Sequence, residues 1–190
     1  MAPHGYKSAK LKVRPARSED TAAMGRLYVA AWRDSYPSLL PAAALLAMSE
    51  ARSARQFESG IARGRDAILV AEGPAGNIAG LLTAGRATDR GLMVGSIRAQ
   101  GEIFTLYVDP AATGQGAGAS LLRAGLCTLA ERGYSNGVVW VLRGNPARFF
   151  YEHMGARLIA AKREHSSGTL VDLEAYAWPD LARDLMRRSA

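Results

Sequence analysis

Apolar and polar positions change rhythm several times along this 190-residue chain. Leu11-Lys12-Val13-Arg14 alternates and stops at Pro15, the mark of a short strand. Met24, Leu27, Tyr28 and Ala31 then recur at helical spacing behind two capping candidates, Ser18 and Asp20. That helix is predicted to run to about Trp32 or Arg33 and to break at Asp34-Ser35-Tyr36-Pro37. An alanine-rich stretch from about Pro41 to Arg63 reads as a second helical region. Two short apolar runs, Ala67 to Ala71 and Ile78 to Gly85, flank Gly73-Pro74-Ala75-Gly76-Asn77, a turn by composition, and so predict a hairpin. Residues 86–101 show no clear period and contain Gly91, Gly95 and Gly101, which predicts a flexible excursion.

Glu102 to Val108 reads as the central strand. Gly116 to Arg132 is helical, with Leu122, Leu126 and Leu129 on one face, and Val138 to Leu142 is a strand. Asn145-Pro146 opens another helix, since asparagine is a good N-cap and proline suits the first helical position. Two last strands, about Arg157 to His165 and Thr169 to Trp178, meet at a hairpin signal, Ser166-Ser167-Gly168. The order β-α-α-β-β-β-α-β-α-β-β, without repeats or linkers, describes one mixed α/β domain. Its span is residues 11–180, between a flexible tail at 1–10 and a short basic tail at 181–190.

Composition narrows the function classes. An apolar share of 48% and a charged share of 22% are ordinary for a globular protein. No apolar stretch approaches the roughly 20 residues that a membrane helix needs, so no membrane association is expected. The start, MAPHGYKSAKLKVR, is basic without an apolar core segment, unlike a secretory signal. A lone cysteine, Cys127, cannot form an intrachain disulfide framework, and His4, His153 and His165 are scattered, so no metal is expected. A reducing, cytoplasmic setting fits best. The net charge of +7 suits a polyanionic partner, either nucleic acid or a phosphate-bearing cofactor. Nucleic acid is the weaker choice: the arginines are spread along the chain, with no basic run, zinc-finger spacing or aromatic-basic motif.

The chemistry concentrates after the central strand. Leu106-Tyr107-Val108-Asp109-Pro110 leads into Thr113-Gly114-Gln115-Gly116-Ala117-Gly118-Ala119 and directly into a helix. Glycines at a strand-loop-helix junction let backbone N–H groups crowd around an anion at the positive end of a helix. A P-loop is excluded, because no lysine follows Gly118. The dinucleotide fingerprint is formally met by Gly114, Gly116 and Ala119. It fits poorly, because five residues separate Val108 from Gly114 and the next strand ends in Leu142-Arg143 rather than an acid. An NADP site using Arg143 is the form in which that reading survives.

The same run resembles the acetyl-CoA loop of the Gcn5-related N-acetyltransferases (GNAT), whose pattern is Gln/Arg-x-x-Gly-x-Gly/Ala at a helix start. About thirty residues later, Asn145-Pro146-Ala147-Arg148-Phe149-Phe150-Tyr151-Glu152-His153-Met154-Gly155 resembles that family's second motif. The resemblance covers about residues 11 to 178. It implies a mostly antiparallel central sheet of six or seven strands flanked by about four helices. Thr113 stands where the family usually has glutamine or arginine, and Asn145 precedes Tyr151 by six positions rather than the more usual seven.

The resemblance implies an acetyl-CoA-dependent acetyltransferase acting on a primary amine by direct attack in a ternary complex, with acetyl-CoA the cosubstrate. Leu106, Tyr107, Val108, Thr113, Gly114, Gln115, Gly116, Ala117, Gly118, Ala119 and Asn145 would hold the cosubstrate, with the Val108 N–H as oxyanion donor. Asn145 reads equally as a helix cap. Glu102 is the candidate base and Tyr151 the candidate general acid. Trp32, Asp34 and Tyr36 are the candidate acceptor site, which the 86–101 excursion would cover. A small-molecule amine is favoured over a protein N-terminus, a homodimer is left open, and a non-catalytic acyl-CoA-binding module is the alternative.

Overall fold

The structure, a computed structural model, describes residues 11–37, 39–166 and 169–186. The expected tail at 1–10 and the turn at Ser167-Gly168 lie outside the described residues. Nine strands form: β1 (Lys12–Pro15), β2 (Ala67–Glu72), β3 (Ile78–Arg86), β4 (Met93–Val94), β5 (Ile97–Arg98), β6 (Gly101–Val108), β7 (Gly137–Leu142), β8 (Arg157–Ser166) and β9 (Thr169–Trp178). The helices are α1 (Thr21–Ser35), α2 (Ala42–Leu46), α3 (Glu50–Arg63), α4 (Ala117–Glu131), α5 (Ala147–His153) and α6 (Leu181–Met186). Seven strands make one sheet in the order β1-β2-β3-β6-β7-β9-β8, antiparallel except for the β6–β7 pair. That parallel pair needs a crossover, which α4 supplies.

Local chemistry sets the breaks. The alanine-rich stretch predicted as one helical region is two helices, because the Ser49 hydroxyl accepts the Arg52 N–H and caps a new helix at Glu50. Gly64, at φ 62°, then ends α3 in the left-handed conformation that glycine adopts at least cost. The predicted C-terminal tail begins with α6 instead. Asp180 accepts the Arg183 N–H at 3.0 Å, and Leu181, 1% exposed, joins the core beneath α4. The 86–101 excursion is likewise ordered, as the small β4–β5 hairpin. Leu92 and Val94 bury against Val138, Ala175 and Ala177, and the Asn136 amide holds the C-terminal end by accepting from the Gln100 N–H and donating to the Arg98 carbonyl. Strands of two residues are too short to show a period, which is why the sequence reads as featureless there.

Side chains divide between the two faces of the sheet. Leu82, Ile103 and Val139 pack beneath α4 with Leu122, Leu126 and Leu129. On the opposite face Val70, Leu81 and Tyr107 pack beneath α1 and α3 with Met24, Leu27 and Phe57. The β4–β5 hairpin covers one end of β7 and β9 on that second face, at Val138, Ala175 and Ala177, and Leu40 and Leu45 pack at the other end against Leu142, Val171 and Leu173.

The sheet is open at its middle. β6 and β7 pair only through Gly101–Ile103 and Gly137–Val139, although both strands continue. Pairing stops where β6 bulges. Thr83 faces Thr105 and Ala84 faces Ile103, so Phe104 is the extra residue. A bulge bends its strand and increases the local twist. β6 therefore leaves β7, and a wedge opens between them.

Candidate active site

Two cavities meet in the wedge. The larger, about 540 Å3, is lined by Thr113, Gly114, Gly116, Ala117, Gly118 and Ala119 of the loop and α4, and by Phe150 and His153 of α5. The smaller, about 200 Å3, opens on the opposite face beside Asp34, Ser35 and Tyr36 of α1 and its end, with Phe104 and Trp140 on the two diverging strands. Leu106, Val108, Ala147 and Tyr151 line both, so the two cavities adjoin across the sheet at these residues.

The loop end is built for an anion. Gly114 and Gly116 have φ of 79° and 81°, which turn the chain sharply into α4. The first helical bond joins the Ser120 N–H to the Gly116 carbonyl, so the N–H groups of Ala117, Gly118 and Ala119 precede the ladder. A Cβ on Gly118 would sit 3.6 Å from Val108 Cγ2 and 3.6 Å from Phe150 Cζ, inside the cleft itself. The Gln115 side chain turns away and donates to the Ala111 carbonyl, and the Thr113 hydroxyl contacts the Asp109 carbonyl at 3.4 Å. Recognition at this end is therefore a matter of backbone amides and the α4 dipole.

Strand β6 presents a free edge to the wedge. The Asp109 N–H donates to the Ala79 carbonyl of β3 at 2.9 Å. Peptide groups alternate in direction along a strand, so the Val108 N–H faces the opening. Opposite it, Tyr151 is 6% exposed, with its ring held by Phe150 and Trp178 at 5.3 and 6.2 Å between centroids. Its hydroxyl has no hydrogen-bond partner among the described residues. Burial pushes this phenol well above its ordinary range, with a smaller contribution from Tyr36, so it keeps its proton.

The far side is aromatic. The Tyr36 and Tyr107 hydroxyls lie 3.2 Å apart, and burial raises both groups. The Asn145 Oδ1 accepts the Ala147 N–H at 2.8 Å, so this residue caps α5 and also lines the smaller cavity. Tyr107 lies on that side too, rather than by the loop.

Three of the expected features lie away from both cavities. Glu102 lies in the closed part of the sheet and lines neither cavity. Its Oε2 accepts both the N–H and the hydroxyl of Thr88, each at 2.8 Å, and so anchors the start of the 86–101 segment. Trp32 lines neither of these two cavities; it packs on Tyr36, 4.9 Å between rings, and lines a separate cavity of about 400 Å3 with Tyr28, Leu40, Leu45 and Arg52. The 86–101 segment lines neither cavity either and abuts Trp140 from the side. Asp34 and Tyr36 are where the sequence reading expects them. Phe104 and Trp140 are additions. Nothing in their local pattern distinguishes them from core aromatics, because their exposure to the wedge depends on the bulge. Arg143 pairs with Glu174 at 3.2 Å and lines neither cavity, which removes its role in a dinucleotide site. Among the described residues no group of three or more His, Cys, Asp or Glu could hold a metal ion, and no helix is long and apolar enough to cross a membrane.

Known proteins share this arrangement. The family model for the acetyltransferase (GNAT) domain matches residues 64–155, which contain both motifs and most of the wedge. The "uncharacterized N-acetyltransferase YuaI" of Bacillus subtilis (strain 168) is 27% identical over 172 residues, spanning 90% of this chain and 94% of that protein. An N-acetyltransferase from Staphylococcus aureus Mu50 has the same fold, with a TM-score of 0.67 at 21% identity over 90% of this chain and 99% of that one. The PaiA N-acetyltransferase of Thermoplasma acidophilum, solved in complex with coenzyme A, has a TM-score of 0.64 at 17% identity over 87% and 98% of the two chains. Residues 64–155 thus match the acetyltransferase (GNAT) domain, and the chain has the fold of these N-acetyltransferases.

Proposed function

We propose that this protein is an acetyl-CoA-dependent N-acetyltransferase that acetylates a small primary amine by direct attack in a ternary complex. The observation that carries the reading is that the two cavities adjoin across the sheet at Val108 and Tyr151. A long thin cosubstrate and a separate acceptor can meet there from opposite faces. The groups present fit coenzyme A: amide donors at the α4 start, a cleft beside Gly118, and the Tyr151 hydroxyl, which has no hydrogen-bond partner among the described residues.

The N–H groups of Ala117, Gly118 and Ala119 would bind the pyrophosphate. The free edge of β6 would take the pantetheine arm as an added strand takes its neighbour. When bound, acetyl-CoA supplies an acyl group activated as a thioester. The Val108 N–H donates to the oxygen on which negative charge develops, and Tyr151 Oη holds the proton that a departing thiolate requires. Asp34, the carboxylate that lines the smaller cavity, attracts the acceptor ammonium at its mouth. An alkyl ammonium has a pKa near about 10, so one proton leaves to water at that mouth before attack. The second, shed by the nitrogen as the amide forms, replaces the one that Tyr151 gives to the sulfur. No covalent enzyme intermediate is needed. Cys127 lies in α4, lines neither cavity, and has its thiol pushed up by burial.

The occupation of Glu102 by Thr88 favours one rival, a non-catalytic CoA-binding module, since it leaves the wedge without a buried carboxylate. A thiol-release assay with acetyl-CoA against a panel of amines separates the two. Turnover with at least one amine is expected. Silence across the panel, with coenzyme A still bound, would leave the binding module.

A further inference from the structure

We infer that the acceptor is a primary amine on an apolar, aromatic arm that carries no carboxylate or phosphate. This rests on the N-acetyltransferase reading and names the class of its second substrate. The smaller cavity has aromatic walls in Tyr36, Tyr107, Phe104 and Trp140, and its charged lining residue is Asp34. No Lys, Arg or His is among the described residues that line it. In a chain of net charge +7 that omission is informative.

Several cations carried by the flanking elements are engaged elsewhere, and Arg148 of α5 lies over the Phe149 ring at 4.6 Å. Arg33 donates to the Leu45 and Met48 carbonyls, both at 3.3 Å. Lys162 lies 4.1 Å from the centroid of the Trp140 ring and is balanced by Asp89 at 3.5 Å and Glu164 at 2.9 Å. Arg143 is held by Glu174. The neutral donors are already committed in part: Asn145 caps α5, and Tyr36 shares a hydrogen bond with Tyr107.

An amino acid must bring its carboxylate in with its amine, because both hang on one carbon. That carboxylate would lose water, find no cation and sit near Asp34, a combination that disfavours binding. An ammonium on an aromatic arm meets the opposite conditions: a carboxylate at the mouth, ring faces for the cation and apolar walls for the arm. Phe104, 37% exposed, offers the arm an open edge.

The test compares phenethylamine with phenylalanine and tryptamine with tryptophan, pairs that differ by one carboxylate while their amines stay similarly basic. kcat/KM is expected to favour the amine of each pair by at least about tenfold. Equal or better use of the amino acids overturns the inference while leaving the acetyltransferase reading intact. Phe104→Arg adds a cation at the exposed wall and is expected to shift the ratio toward phenylalanine about tenfold, whereas an unchanged ratio counts against the inference. Should no amine turn over, the acetyltransferase reading fails. Calorimetry of the same pairs on CoA-loaded protein then decides the inference: binding of the amine alone supports it, and binding of the acid, or of neither, overturns it.

Discussion

Replacing Tyr151 with phenylalanine removes one oxygen from the wedge and leaves the rest of the side chain in place. The ring keeps its contacts with Phe150 and Trp178, and the lost hydroxyl has no internal hydrogen-bond partner among the described residues. Stability is therefore expected to change by less than about 1 kcal/mol, since no intramolecular hydrogen bond is broken. Catalysis is expected to change far more. A positioned general acid contributes roughly 10²–10⁴-fold, which corresponds to about 2.7–5.4 kcal/mol of barrier. The assay is steady-state thiol release with the best amine, paired with calorimetry for coenzyme A and a thermal melt. The expected pattern is kcat lowered at least about 100-fold, with cofactor affinity and melting temperature nearly unchanged. The pH profile is a second reading of the same residue. Burial raises Tyr151, so its acid form persists as pH climbs through the ordinary tyrosine range, and wild-type activity should rise with deprotonation of the amine without a falling limb below about pH 10. A kcat within about threefold of wild type would refute the assignment, because transfer of the proton would then not depend on this oxygen.

Three further substitutions separate structure from chemistry. Gly118→Val places a branched side chain between Val108 and Phe150 and is expected to weaken coenzyme A binding at least about tenfold in calorimetry, because the added atoms occupy cleft volume that the cofactor needs. An unchanged affinity would mean that the cofactor does not pass there. Glu102→Gln keeps an acceptor for Thr88 but loses its charge. It should lower the melting temperature while altering kcat less than about threefold; a loss of about 100-fold at constant stability would restore Glu102 as the base. Asp20→Asn breaks the two-armed contact with Arg14, at 2.7 and 2.9 Å, and should cost about 1.5–3 kcal/mol in chemical denaturation near neutral pH. Hydrogen bonding from Arg14 lowers the Asp20 carboxyl below its ordinary range. Its stabilisation is thus complete above the unfolded carboxylate pKa and is lost as pH falls through the depressed folded value. The wild-type advantage over Asp20→Asn should shrink on acidification, and an advantage that grew instead would contradict the sign.

The helices and strands that carry the site were legible because their signals are local. Gly114 to Gly118 lie between an apolar strand and an apolar helical run, and Asn145-Pro146 marks a helix start where the Asn145 Oδ1 accepts the Ala147 N–H. The wedge was not legible. It depends on Phe104 being the unmatched residue between β6 and β3, and register between strands far apart in sequence leaves no trace in either one. That one displacement leaves Glu102 in the closed part of the sheet, before the bulge, and turns Phe104 and Trp140 from core positions into cavity walls. The β4–β5 hairpin escaped for a different reason, since its order comes from Asn136 and from burial of Leu92 and Val94, both supplied by distant strands.

The most direct test is a crystal structure of the protein with coenzyme A bound. The account predicts the pyrophosphate on the N–H groups of Ala117 to Ala119, the pantetheine arm along β6, and the sulfur within hydrogen-bonding distance of Tyr151 Oη. A cofactor seated elsewhere, for example in the cleft of about 500 Å3 lined by Glu19, Arg26 and Asn77, would contradict it.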